Sequence, residues 1–298
     1  MFLNKGTIYK LMAQIRSAFA KTKQERKLLR QELLNQYIDN AVKKAKWGIS
    51  YSVFDGEELL EPSIRNLREH VDYINAVYQT ENWTGEYKNP DVIKTVQKLK
   101  DMGLIDEIIE FKPNTKLLPV KNQTAKRNLG LSRAKKAGCD YFMTIDVDEF
   151  YEKDALIRVK KEIIEKGITH AYCPIINYGT LPTRLSKESP AFFAVPIFSK
   201  VGLFTKLGPR KKSIAVVDPT RNMSDCMGAK YFFFCDIAMH HMAFVRNNLF
   251  LKLKSSSNKN TNNSRIEEIK KKDGNCVDVE DKFNIMPYLS FPENNNEE

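Results

Sequence analysis

Apolar residues early in the chain recur at spacings of three and four: Ile8, Leu11, Met12, Ile15 and Phe19, then Leu29, Leu33, Leu34, Tyr37, Ile38, Ala41 and Val42. Such spacing places them along one face of a helix. A polar run at 21–27 separates the two sets, so the pattern predicts two helices within residues 8–46. From Trp47 the texture changes. Runs rich in β-branched and aromatic residues at 47–54 (WGISYSVF), 71–78 (VDYINAVY), 105–111 (IDEIIEF) and 140–145 (DYFMTI) read as strands, and helical spacing returns at 57–70, 91–102, 123–137 and 154–166. Strand and helix in alternation predict an α/β fold, a sheet of parallel strands flanked by helices, with a helical extension before it. Ligands bind such sheets beyond the carboxyl ends of the strands. Asp55 and the acidic group at 146–149 fall at such ends.

Beyond residue 168 the regularity fades. Residues 171–178, 192–198, 214–217 and 231–237 are strand-like, joined by irregular stretches holding Pro182, Pro190, Pro209 and Pro219. Helical spacing reappears at 246–253, and the Ser- and Asn-rich run at 255–264 and the last residues, 293–298, read as disordered. The expected organisation is a basic helical extension (1–46), a main domain (47–254) with a regular α/β half (47–150) and an irregular half (151–254), and a C-terminal lid or tail (255–298).

Charge sharpens this division. The net charge of the 298-residue chain is +11, yet residues 1–46 hold eleven Lys or Arg against three Asp or Glu, which leaves +3 for everything after them. Basicity therefore belongs to the extension, and the body is not expected to bind nucleic acid. A basic helical extension fits a solvated face or peripheral contact with an anionic membrane, and an oligomer stays open. No apolar run approaches the roughly 20 residues of a membrane-spanning helix. The N-terminal segment has no continuous apolar core, so a cytoplasmic protein is expected, peripheral on the inner face of a membrane if the extension binds lipid. Five cysteines, an odd number with no C-x-x-C pair, fit reduced thiols.

The chemistry concentrates in DYFMTIDVDEF at 140–150, where an apolar strand runs into two carboxylates separated by one residue. On extended backbone Asp146 and Asp148 share a side, with Val147 turned away. Two hard oxygen ligands together suit Mg²⁺ or Mn²⁺, which keep positions open for substrate phosphates. An isolated D-x-D is as readily an acidic helix cap; its place after the fourth strand of an α/β series selects the metal reading. Phe54, Asp55 and Glu57 follow the first strand, where they bind a nucleoside or cap the next helix. Lys126 and Arg127 are placed to grip a phosphate, Arg127 bidentately. His240 and His241 follow a strand-like run, and adjacent histidines point apart, so one of them ligates; His240 is preferred. Arg246 behind them, with Lys252 and Lys254, is placed to neutralise a diphosphate. Asp218 and Asp225 lie in the irregular half as candidate catalytic bases, with a turn role before Pro219 as the alternative for Asp218.

Four segments together resemble the family-2-type GT-A glycosyltransferases: GISYSVFDGEELLEPSIRNL (48–67), VDYINAVYQ (71–79), KRNLGLSRAKKAGCDYFMTIDVDEF (126–150) and MHHMAFVRNN (239–248). The resemblance implies a GT-A fold, a Rossmann-like mixed sheet flanked by helices, in a catalytic domain (47–254) with a nucleotide-binding half (47–150) and an acceptor half (151–254). It implies transfer of a sugar from a nucleoside-diphosphate sugar, of UDP or GDP type, to a saccharide or lipid-linked acceptor such as lipopolysaccharide. It implies Mn²⁺ or Mg²⁺ on the donor diphosphate, held by Asp146, Asp148 and the late histidine. The family often has a carboxylate after its second strand for the base or ribose; here Gln79 stands at that place, with Trp83 nearby. One rival, a sugar-1-phosphate nucleotidyltransferase, would carry a Gly-rich, Arg-containing loop where this chain reads FDGEE. The other is a non-enzymatic membrane- or nucleic-acid-binding protein acting through residues 1–46.

Overall fold

The computed structural model describes residues 22–209, 216, 218–224, 228–247, 249, 252, 269 and 273–290. The first described helix, α1 (Lys23–Lys44), opens on a capping box. Thr22 Oγ1 accepts from the Glu25 amide at 3.1 Å and Glu25 Oε2 accepts from the Thr22 amide at 2.9 Å. The polar run at 21–27 is thus the capped start of this helix. The helix expected before it lies outside the described residues. Leu33 and Ile38 are the residues α1 buries, and it packs along α5 (Lys153–Lys166).

The remaining elements are β1 (Trp47–Val53), α2 (Glu57–Leu67), β2 (Tyr73–Tyr78), α3 (Val92–Asp101), β3 (Glu107–Glu110), α4 (Pro119–Lys136), β4 (Tyr141–Asp146), β5 (Glu149–Phe150), β6 (His170–Asn177), β7 (Arg184–Ser186), β8 (Ala191–Lys200), β9 (Tyr231–Phe233), β10 (Met239–His241) and β11 (Cys276–Asp278). The class is the expected one, a mixed α/β sheet flanked by helices. Its strand order is β3-β2-β1-β4-β8-β6-β10-β5, with β9 also paired to β6. The four strands β3, β2, β1 and β4 run parallel. Strand β8 lies antiparallel between β4 and β6, β10 runs parallel to β6, and β5 closes the order antiparallel to β10. Nearly every residue of β1, β2 and β4 is buried, as in parallel strands covered on both faces.

The sheet is curled, and a length argument shows why. Only residues 147 and 148 separate β4 from β5, a link that reaches about 11 Å at most. Four strand spacings separate the same two strands along the sheet, about 19 Å if it were flat. The far edge therefore wraps back to the carboxyl end of β4.

Several boundaries differ from the sequence reading. Helix α4 begins at Pro119, whose fixed φ and missing N–H suit the first turn. Of the strand expected at 214–217, the described residue Val216 makes a single bridge to Ala194, and the strand expected at 231–237 ends at Phe233. Most of the helix expected at 246–253 lies outside the described residues. Within the expected tail, β11 pairs with β7 and Ile285 is fully buried against Leu59 and Phe150. The described cysteines Cys139, Cys173, Cys235 and Cys276 form no disulfide with one another. Among the described residues no helix is long and apolar enough to cross a membrane.

Candidate functional site

The acidic run at the end of β4 is held in a tight turn. Strand β4 stops at Asp146, and residues 147–148 turn the chain into β5. The expectation that extended backbone sets Asp146 and Asp148 side by side is thereby corrected: the short link to the curled edge forces a turn, and the two carboxylates enter different ion clusters. Gly56, after β1, makes room for one of them. Its φ of +76° favours glycine, and a side chain there would press within 2.9 Å of both the Arg246 guanidinium and Val147.

The first cluster is built on Arg127 from α4 and Arg221 from the short 3₁₀ turn Pro219–Arg221. Both guanidinium groups are almost fully buried. One Arg127 nitrogen donates to both Asp146 oxygens at 3.1 Å and to Asp218 Oδ2 at 2.8 Å. The others reach Thr144 Oγ1 at 2.9 Å and Thr220 Oγ1 at 3.0 Å. Arg221 donates to both oxygens of Glu149 and to Asp146. Burial works to raise the Asp146 and Asp218 pKa values, but Arg127 and Arg221 overcome it and hold both below the usual carboxylate range. Glu149 moves the other way, because burial there, helped by Asp146 and Asp148, outweighs Arg221.

The second cluster surrounds Asp148. Arg246 donates to its Oδ2 at 2.6 Å, and Lys252 Nζ lies 3.3 Å from the same oxygen and 3.7 Å from Asp55 Oδ1. Its Oδ1 faces His241 Nε2 at 3.9 Å. Burial is again overcome, here by Lys252 and Arg246, and Asp148 is held ionised. The two clusters together bring cations from α4, the 3₁₀ turn and the chain after β10 onto carboxylates at the ends of β1 and β4.

Of the paired histidines, His241 is the one at the acidic turn. His240 points the opposite way: its Nδ1 is 2.9 Å from the Tyr178 hydroxyl and its Nε2 is 3.4 Å from Glu152. Register decides this, since β10 sets His241 opposite Glu149 and His240 opposite Phe150. The preference for His240 is corrected accordingly. Burial lowers the pKa of His240 to about 4 and also lowers that of His241, so both imidazoles are neutral at pH 7.

The other expected binding residues line the ends of β1 and β2. Lys126 is buried, donates to the Val53 carbonyl at 2.8 Å and lies 5.7 Å from the Trp83 ring centre. Burial brings its pKa down to about 7. Phe54 packs edge-on against Tyr87. Glu57 accepts from Asn89, which also donates to the Phe54 carbonyl. Gln79 is fully buried, donating to the Glu81 carbonyl while its Oε1 has no partner. Asp225 lies outside the described residues. The residues that the sequence reading passed over are Arg221 and Thr220, which sit in an irregular stretch without periodicity. A buried Arg beside Asp218 is recognisable only once Asp146 and Glu149 are seen opposite it.

Among the described residues no group of three or more His, Cys, Asp or Glu side chains is gathered as a metal site. The donor set at Asp148 nevertheless suits a hard divalent ion that takes one or two carboxylates and leaves the rest to phosphates and water. Asp148 Oδ1 and His241 Nε2 face each other at 3.9 Å, and they are the two groups that would ligate such an ion. His241 Nδ1 lies 3.3 Å from Asn177 Oδ1, which favours the tautomer that turns the Nε2 lone pair toward Asp148.

No protein-family model matches the chain, and no curated protein matches it. Solved structures do. S. aureus TarS superposes with a TM-score of 0.43 at 10% identity, over 75% of this chain and 42% of that one. TarS 1–349 gives 0.42 at 12% identity, over 77% and 71%, and TarS 1–349 in complex with UDP-GlcNAc gives 0.42 at 12%, over 75% and 70%. The chain thus spans less than half the length of the TarS chain of the first comparison, and the likeness concerns the arrangement of the chain alone.

Proposed function

We propose that the protein transfers a sugar from a nucleoside-diphosphate sugar to an acceptor hydroxyl. The observation that carries this reading is the convergence of Arg127, Arg221, Arg246 and Lys252 on Asp146, Asp148, Glu149 and Asp218 at the carboxyl ends of β1 and β4. A leaving diphosphate needs positive charge set in place before it departs, and this is where ligands of parallel α/β sheets lie. Asp148 and His241 are the residues that would hold Mn²⁺ or Mg²⁺. When bound, that ion neutralises charge on the diphosphate. Arg246 and Lys252, the cations on Asp148, would take up the remaining charge. Lys126, Gln79 and Trp83 border the place for the nucleoside.

The acceptor side of the reading rests on a cavity of about 360 Å³ beside His241, lined by Asn177, Glu188, Phe193, Phe244, Asp273 and their neighbours. Aromatic faces beside hydrogen-bonding side chains suit a saccharide, free or at the head of a lipid-linked glycan. Asp218 makes a poor base, because Arg127 and Arg221 stabilise its ionised form. Glu188 is the better candidate, since Asp273 already accepts from the Thr180 amide at 2.8 Å. Thermal shift with nucleoside diphosphates, with and without Mn²⁺, tests the donor half of the proposal. A metal-dependent rise in melting temperature for UDP or GDP is expected, and no rise with any of them would overturn it.

A further inference from the structure

At the end of β8, opposite the acidic turn, the chain makes a tight turn at residues 201–205 that displays Leu203 and Phe204. These are the two most exposed large apolar side chains among the described residues, at 83% and 86%. Their exposure is built rather than loose. Thr205 is buried, its amide donates to the Gly202 carbonyl at 3.2 Å, and its Oγ1 accepts from the Gly202 amide at 2.7 Å. Lys135 at the end of α4 donates to the carbonyls of Leu203 at 2.9 Å and Thr205 at 2.7 Å. On one side the Val201 amide bonds to the Asp140 carbonyl, and on the other Leu207 exchanges hydrogen bonds with Asn128 of α4. The two side chains thus stand on a braced knuckle.

The charge around it is basic. Lys200 and Lys206 flank the turn and are exposed, and Lys136 is exposed beside Lys135. Lys206 stands near enough to Lys135 to help lower its pKa, after burial. Lys46 is joined through its backbone to Asp140, the acid of this group. An apolar tip ringed by ammonium groups matches the interface of an anionic bilayer, where the tip enters the acyl boundary and the ring meets the headgroups. A second copy would bring the same lysines face to face, and a nucleic acid would leave the two apolar side chains without a partner.

We infer that the Leu203–Phe204 turn is a membrane-insertion knuckle that docks the protein on an anionic lipid surface. Strand β8 ends beside Tyr141, the first residue of β4, whose last residue is Asp146. The knuckle and the candidate site therefore lie at opposite ends of that strand, roughly 20 Å apart, and docking leaves the site facing away from the lipid.

The test is co-sedimentation of the full chain with vesicles of phosphatidylcholine alone and of phosphatidylcholine with phosphatidylglycerol, at low and high salt. Binding to the anionic vesicles is expected, and Leu203→Ser with Phe204→Ser should weaken it about tenfold or more. Phe204→Trp supplies a readout that does not depend on losing a residue: its emission should shift to the blue on adding anionic vesicles. No sedimentation of the wild type, unchanged sedimentation of the serine variant, or an unshifted tryptophan on vesicles that do bind would each overturn the inference, the last two by placing the contact elsewhere, residues 1–46 included. Concentration-dependent association without lipid that the serine variant abolishes would overturn it in favour of a second copy.

Discussion

A single buried charge changes what a substitution at the acidic turn should do. The bare D-x-D pattern suggests that Asp148 sits at a strand end and can be removed without harm, yet it is only 3% exposed and pairs with Arg246 and Lys252. Asp148→Asn should therefore abolish the Mn²⁺-dependent thermal shift and also cost about 3–5 kcal/mol, because the Arg246 guanidinium is left buried without its counter-charge. Chemical denaturation alongside the ligand screen checks both. Arg221→Met should cost about 3–5 kcal/mol by stranding Glu149 and Asp146, and adding Glu149→Gln should recover part of that loss if the pair is coupled as drawn. Lys160 gives a pH test away from the site. It is buried, donates to the His70 carbonyl and lies 4.8 Å from the Trp47 ring centre, and burial lowers its pKa from 10.5 to about 8. The unfolded chain then holds the proton that the folded chain has lost between about pH 8 and 10.5, so stability gains from rising pH across that window. Lys160→Met should remove this gain, which appears as a wild-type-minus-variant difference in melting temperature that grows from pH 7.5 to pH 10.

Helix α4 transmits sheet packing to the site. Gly130 lies against β1 and β2, and a methyl group there would collide with Ser50 Oγ, which itself is hydrogen-bonded to Asn75 at 2.7 Å. Lys126 and Arg127 sit one turn earlier on the same helix. Gly130→Ala should cost about 1–3 kcal/mol by overpacking and weaken nucleotide binding by displacing Arg127. Gly138→Ala, where φ is +79° but nothing crowds the new methyl within 4 Å, should cost stability alone. Calorimetry with titration of UDP or GDP separates the two outcomes. The elements from β1 to β4 were legible in the sequence because each strand is bounded by turn residues and each helix buries a stripe at spacings of three and four. Strands β5 and β10, two and three residues long, are too short to show any period. Without them nothing in the sequence says that β10 pairs with β5, and so nothing chooses between His240 and His241. Arg221 was illegible for a related reason: its partners Glu149 and Asp146 are 72 and 75 residues away, across a stretch with no pattern to carry it back to them.

For the molecule as a whole, α1 joins the basic extension to the body. Trp47 Nε1 donates to the Val42 carbonyl at 3.1 Å, Lys161 pairs with Asp39 at 2.8 Å, and Leu33 and Ile38 are buried. Deleting residues 1–46 should therefore lower stability by on the order of 3 kcal/mol more than a deletion that ends at residue 21 and keeps these contacts, through lost apolar burial. Scanning calorimetry of the two truncations decides this, and equal melting temperatures would overturn it.

The curled sheet has a consequence for how the chain is made. Asp148 leaves the ribosome 98 residues before Arg246 does, a delay of about 5–20 s at ordinary rates of synthesis. During that interval β1, α2, β2, α3, β3, α4 and β4 are present, and with them Arg127, but the later strands and the Arg221 and Arg246 guanidinium groups that close over the acidic turn are not. Asp148 and Glu149 must stay hydrated until their partners arrive. The nascent chain is then expected to wait with an open acidic mouth, and substitutions that make this run apolar should show their first effect as aggregation during synthesis rather than as a defect of the finished protein.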